Sequence, residues 1–155
     1  MKTIEIKTNS SDKTLLLGEK IGESLYPGSG ILFYGDLGTG KTTLISGICK
    51  GLKVKNRVKS PTFVLAWLYD GDIPVYHVDL YRLGDYEELE NIGWEEMVDE
   101  TGIYLVEWAD RFELPYTQKA IRIYIDYSEN INNRKIVIKF DSTLFEGLNK
   151  LFEKT

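Results

Sequence analysis

Eight consecutive residues, Gly35-Asp36-Leu37-Gly38-Thr39-Gly40-Lys41-Thr42, match the pattern G-x-x-x-x-G-K-[ST]. No other stretch restricts the possible folds of this chain as much, because the pattern functions only between a buried strand and the N-terminus of a helix. The glycines let the backbone curl until successive N–H groups aim at one anion. Lys41 adds a point charge for β- and γ-phosphates, and the Thr42 hydroxyl can ligate Mg²⁺. A helix begun here contributes its positive dipole end. The flanks comply. Residues 30–34, Gly-Ile-Leu-Phe-Tyr, read as a short buried strand, and Leu44, Ile45, Ile48 and Leu52 follow at helical spacing.

With 155 residues, the chain is most simply one domain spanning 1–155 around one core. A net charge of −5 argues against broad coating of nucleic acid, which needs a basic face. The only cysteine, Cys49, excludes an intramolecular disulfide and a Cys-cluster metal site. It falls on the apolar helix after the loop and reads as core filler. No stretch approaches the ~20 apolar residues of a membrane span, and the N-terminus carries no export signal. A nucleotide loop in such a chain gives the cytoplasm as the expected location and no membrane partner.

The remaining pattern is mixed. Residues 1–8 alternate, with Ile4 and Ile6 on one face. Ser10 or Ser11 can cap a helix running to about Tyr26, with Leu15, Leu16, Ile21 and Leu25 as its core stripe. A basic loop, 53–60, precedes a strand at 62–69, a turn at Asp70-Gly71-Asp72 and a second strand at 75–80. Acidic helical segments occupy 85–90 and 94–100. The continuous apolar run 103–106 reads as a buried parallel strand. Strands 120–127 and 134–140 form a hairpin, and a short helix closes the chain. The fold class expected is α/β: a single-domain P-loop NTPase-like sandwich with a mixed, partly parallel central sheet flanked by helices.

A phosphate loop needs a carboxylate at the end of a neighbouring strand to hold Mg²⁺ or its water shell. Asp79 ends one apolar strand and Glu107 another, and strand C-termini are where α/β sheets bind ligands. Mg²⁺ takes hard oxygen ligands and keeps several waters, so Thr42, one carboxylate and phosphate oxygens suffice. Glu107 is expected nearer the metal, with Asp79 positioning water or sensing the γ-phosphate; the spacing leaves an exchange of these roles open. His77, the only histidine, shares a face with Asp79 by strand alternation and reads as structural. Trp94 and Trp108 read as packing aromatics, Trp108 with a position beside Glu107 from which it could report nucleotide binding.

Five blocks in order carry a resemblance. They are Gly35 to Thr43, Val58-Lys59-Ser60-Pro61-Thr62-Phe63, Tyr76-His77-Val78-Asp79-Leu80-Tyr81-Arg82-Leu83, Glu87-Glu88-Leu89-Glu90-Asn91-Ile92-Gly93, and Leu105-Val106-Glu107-Trp108. Together they resemble the bacterial TsaE (YjeE) family of P-loop ATPases, which serve threonylcarbamoyladenosine modification of tRNA beside the anticodon. The resemblance implies that Gly35 and Gly38, Thr39, Gly40, Lys41, Thr42 and Thr43 bind the phosphates of ATP. It implies that Thr42 and Glu107 hold Mg²⁺, that Ser60 and Thr62 belong to a switch-like loop near the γ-phosphate, and that Asp79 is needed for hydrolysis. Ser11 and Thr14, with the turn at Asn133, would approach the adenine; the family often has Gly where Asn133 stands, which favours a backbone contact there. Thr39 replaces a common Ala.

The same resemblance implies an accessory ATPase, weak alone, that docks onto a TsaB–TsaD heterodimer, with tRNA reached indirectly through that complex as one option and the basic loop at 53–59 leaving contact with either RNA or protein open. Two other functions share the loop. A small-molecule phosphotransferase would need a clustered basic lid, whereas Arg57, Arg82, Arg111, Arg122 and Arg134 are scattered. A GTPase-type switch would need an Asn-Lys-x-Asp segment, which the chain lacks.

Overall fold

The alternation at the N-terminus becomes strand β1 (Lys2–Thr8), whose even-numbered side chains turn inward. A computed structural model of the chain describes residues 1–35, 40–55, 66–128 and 132–153, with Arg82 described by its backbone alone. The other strands are β2 (Gly30–Tyr34), β3 (Ala66–Tyr69), β4 (Val75–Asp79), β5 (Ile103–Glu107), β6 (Ile121–Tyr127) and β7 (Arg134–Phe140). Helices α1 (Ser11–Ser24), α2 (Lys41–Gly51), α3 (Tyr86–Asn91), α4 (Trp94–Met97) and α5 (Glu146–Glu153) lie between and after them.

Among the described residues the strands form one seven-stranded sheet in the order β1-β7-β6-β2-β5-β4-β3. Its middle is parallel: β2 pairs with both β5 and β6, and β4 pairs with β5. Its flanks are antiparallel, β7 on β6, β1 on β7 and β3 on β4. The mixed, partly parallel sheet is therefore the one the sequence predicts. Its consequence is positional: the carboxyl ends of β2, β4, β5 and β6 share one edge, where open α/β sheets receive ligands.

Strand alternation divides the core into two layers. Ile31, Phe33, Leu105 and Ile123 face one way, into a cluster with Leu44, Ile45 and Ile48 of α2, Ile21 of α1 and Leu148 of α5. Leu32, Val78 and Val106 face the other way, toward Leu89 of α3 and Trp94 and Met97 of α4. Each such fully buried side chain contributes about 1.5–3 kcal/mol, so the two layers clamp the sheet from both sides. No helix among the described residues is long and apolar enough to cross a membrane.

Several boundaries differ from the sequence reading. Helix α1 stops at Ser24 and is capped by Ser10, whose Oγ accepts from the Lys13 N–H at 3.2 Å. Its core face is Thr14, Gly18, Ile21 and Gly22, and Leu16 is exposed. The reason is the contact with α2. A Cβ at Gly18 would strike the Leu44 carbonyl oxygen, one at Gly22 that of Ile48, one at Gly47 that of Leu15, and one at Gly51 that of Glu19. Glycines, not leucines, thus face the neighbouring helix, and backbone meets backbone. Strand β4 ends at Asp79 because Asp79 caps the 3₁₀ turn Leu80–Arg82. Strand β6 starts at Ile121, and the acidic helices are the shorter α3 and α4. Most of the basic loop, and residues 62–65 of the strand expected at 62–69, lie outside the described residues.

Candidate functional site

Strand β2 delivers the chain to Gly35, and Gly40 starts α2 as its N-cap. Gly40 has φ +101, a left-handed conformation that side chains resist, and a Cβ there would also lie 3.4 Å from Arg134 Nε. It offers no side-chain cap, and the first amides of any helix lack intrahelical partners. The start of α2 is therefore a cradle suited to an anion. Lys41 is buried at 4% exposure; its Nζ donates to the Gly35 carbonyl at 2.6 Å and stands 4.0 Å from the centroid of the Trp108 ring. Trp108 reaches that place through a left-handed backbone, φ +58, immediately after β5. The Ala109 N–H closes this turn on the Phe33 carbonyl at 3.2 Å, and the Tyr81 ring lies 5.0 Å from the indole. Thr42 is exposed at the helix start and Thr43 is partly buried.

Asp79 and Glu107 are direct register partners at the ends of β4 and β5. Alternation puts both on the α2 side of the sheet, where Val75 and Leu105 are already packed. Like charges directly opposite one another on neighbouring strands repel. Asp79 shows the effect. Burial pushes its carboxyl above the usual range, a hydrogen bond from the Tyr81 N–H at 2.9 Å opposes this, Glu107 pushes it further up, and His77 and Lys41 pull it down. A cation between the two carboxylates would relieve their repulsion. The available donors, a threonine hydroxyl and carboxylates, are hard oxygens that suit Mg²⁺. Among the described residues no group of three or more His, Cys, Asp or Glu side chains could hold a metal, so phosphate oxygens and water would complete the shell.

His77 is fully buried and lies on the carboxylate, with Nε2 2.8 Å from Glu107 Oε2 and Nδ1 3.1 Å from the Tyr69 hydroxyl. The sequence reading placed His77 on the face of Asp79 but gave it no tie to Glu107. That tie depends on β4–β5 register, which only the sheet supplies. Trp94 is the packing aromatic expected, fully buried with its indole N–H donating to the Pro115 carbonyl at 3.0 Å.

Beside the helix start opens a polar cavity of about 340 Å³, lined by Asn9, Ser10, Ser11, Thr14, Gly40, Thr43, Asn132 and Arg134. Thr14 is buried; its hydroxyl donates to the Ser10 carbonyl at 3.2 Å and sits 2.8 Å from the Thr8 hydroxyl. Ser11 and Thr14 thus share one cavity with Gly40 and Thr43. Asn133 lines the adjoining cavity of about 210 Å³ with Lys7, Lys13 and Ser128. Arg134, which sequence reasoning gave no site role, donates to the Asn133 carbonyl at 3.1 Å and lies over the Tyr127 ring at 4.3 Å. No local sequence signal marks Arg134; its place follows from its register opposite Thr8, the last residue of β1. Gly38, Thr39, Ser60 and Thr62 lie outside the described residues.

With this geometry in view, the comparisons decide the family. The model for "Threonylcarbamoyl adenosine biosynthesis protein TsaE" matches residues 8–136. The chain belongs to the TsaE family. The tRNA threonylcarbamoyladenosine biosynthesis protein TsaE of a Nostoc species is 41% identical over 138 residues, covering 86% of this chain and 84% of its own. The TsaE of Treponema pallidum is 36% identical over 135 residues, covering 84% of this chain and 96% of its own. The crystal structure of Bacillus subtilis YdiB superposes with a TM-score of 0.79 at 27% identity, over 99% of this chain and 95% of that one. Membership of the TsaE family ties the chain to tRNA threonylcarbamoyladenosine biosynthesis and agrees with the mixed α/β fold.

Proposed function

We propose that this chain is a Mg²⁺-dependent ATPase that assists tRNA threonylcarbamoyladenosine modification as an accessory subunit of a TsaB–TsaD heterodimer. One observation carries the ATPase reading: the helix start at Gly40 and Lys41 opens onto a polar cavity on one side and adjoins two facing carboxylates on the other. A triphosphate needs a cradle and a cation site in that relation, and a cavity of this size suits a nucleoside. Family membership supports the pathway, and the resemblance set out above supplies the partners.

On this reading Gly35 and Gly38 through Thr43 receive the phosphates, and Lys41 leaves the Gly35 carbonyl and the Trp108 face to meet them. Ser11, Thr14 and the Asn133 turn border the base. Thr42 and Glu107 would hold Mg²⁺, which when bound neutralises charge on the phosphate oxygens. Asp79, whose carboxyl is raised by burial, orients the attacking water, and Ser60 and Thr62 respond to the γ-phosphate. A cytoplasmic location and indirect contact with tRNA through the complex belong to the same reading.

The test is ATP hydrolysis by the chain alone and with a verified TsaB–TsaD heterodimer, using Glu107→Ala as control. Stimulation by the partners that is lost in the variant is the expected result. Active partners that leave hydrolysis unchanged would remove the accessory role, and γ-phosphate transfer to a metabolite would replace it with a phosphotransferase.

A further inference from the structure

Among the described residues the Glu107 carboxylate is held from one side. Among the described residues its single side-chain hydrogen bond comes from His77 on Oε2, which leaves the other oxygen without one. The imidazole is itself held: Nδ1 meets the Tyr69 hydroxyl. Tyr69, His77 and Glu107 are 3%, 0% and 4% exposed, and they run diagonally across three adjacent strands on the α2 side of the sheet. In register, Tyr69 stands opposite Val75 and His77 opposite Leu105, so each contact reaches two residues along the neighbouring strand.

We propose that His77 is a positioning residue that fixes the Glu107 carboxylate for the cation, and that Tyr69 fixes His77. The inference rests on the reading of Glu107 as the metal-side carboxylate. The donor–acceptor chemistry sets the direction. An ionised carboxylate only accepts, so Nε2 carries the proton toward Glu107, and in the neutral ring Nδ1 accepts from the Tyr69 O–H. The chain of bonds therefore selects one tautomer and one ring orientation. Packing alone gives no reason for it, since Val75 and Leu105, its neighbours on that face, belong to an apolar cluster. Carboxylates that ligate metals are commonly oriented by hydrogen bonds of this kind. Asp79 has a different anchor, the Tyr81 N–H, so the two facing carboxylates are held independently.

The experiment measures, by calorimetry, the affinity of a non-hydrolysable ATP analogue in Mg²⁺ and in EDTA, with melting curves as a folding check. In His77→Leu the Mg²⁺-dependent gain should fall about 10-fold, with a smaller fall in Tyr69→Phe. The affinity in EDTA should stay unchanged, and His77→Gln, whose amide can still donate to Glu107, should recover most of the gain. Equal losses with and without Mg²⁺, or no loss in either variant, would overturn the positioning role. If His77→Leu does not fold, Tyr69→Phe, which deletes one oxygen, decides the matter. Glu107→Gln separates the two readings. If it keeps the Mg²⁺ gain, the metal-side reading fails and the positioning role falls with it. If it loses the gain while Tyr69→Phe and His77→Leu keep it, only the positioning role fails.

Discussion

Two buried contacts lie on the α2 side of the molecule, and their chemistry is opposite. Where α2 meets α1, Gly18, Gly22, Gly47 and Gly51 bring the two backbones together with no side chain between them. On the α2 side of the sheet, Tyr69, His77 and Glu107 form a buried polar line. The first contact is shape alone, and adding an atom breaks it. The second is directional bonding, and removing an atom breaks it. The first should therefore govern whether the chain folds, and the second what the folded chain can bind.

The largest effect tests the shape contact. Gly22→Val would push a branched side chain into the Ile48 carbonyl and should cost about 3 kcal/mol or more, seen as a large loss in a urea titration. A stable Gly22→Val chain would show that α1 and α2 can separate without penalty. Lys41→Ala should divide the two roles cleanly. Hydrolysis should fall at least about 100-fold, while the lost contact with Trp108 costs about 1 kcal/mol, a shift of a few degrees in the melting curve. A collapse in stability would mean that Lys41 is mainly a packing element.

A smaller effect concerns pH. The Asp79 carboxyl is raised in the folded chain, so between its unfolded and folded values the native state holds more protons than the unfolded one. Stability from this group therefore falls as pH rises through that window. Asp79→Asn should remove that fall and leave the ligand-free protein somewhat more stable at neutral pH. Urea titrations across the acidic range would show it, and an unchanged slope would contradict the raised carboxyl. The smallest change is in Cys49, whose thiol burial pushes up to about 12. It should resist thiol reagents in the native chain and react only on unfolding. Faster labelling in Gly22→Ala than in Tyr69→Phe would sharpen the contrast between the two contacts.

Much of this was legible in the chain. The strand at 30–34 and the helix after Gly40 follow from local pattern, because Leu44, Ile45, Ile48 and Leu52 bury as their spacing predicts. Asp79 and Glu107 end β4 and β5, as the apolar runs before them predict. The face of α1 was misread at Leu16 because hydrophobic periodicity is blind to glycine, and a contact made of backbone leaves no apolar stripe. The bond from His77 to Glu107 escaped because it joins residues 30 apart in sequence, and only strand register brings them together. The cavity beside Gly40 depends likewise on β1 lying against β7, which places Thr8 opposite Arg134.

That last pairing also orders the assembly of the chain in time. Strand β1 is synthesised before β2 to β6, yet it pairs with β7, whose residues are Arg134–Phe140. During synthesis that pairing must wait until residues 134–140 have emerged, and closing so long a loop is slow. Helices α1 and α2 can dock long before then. The glycine contact is available to an early folding nucleus, while the wall of the polar cavity formed by Asn132 and Arg134 is completed later, when β7 captures β1.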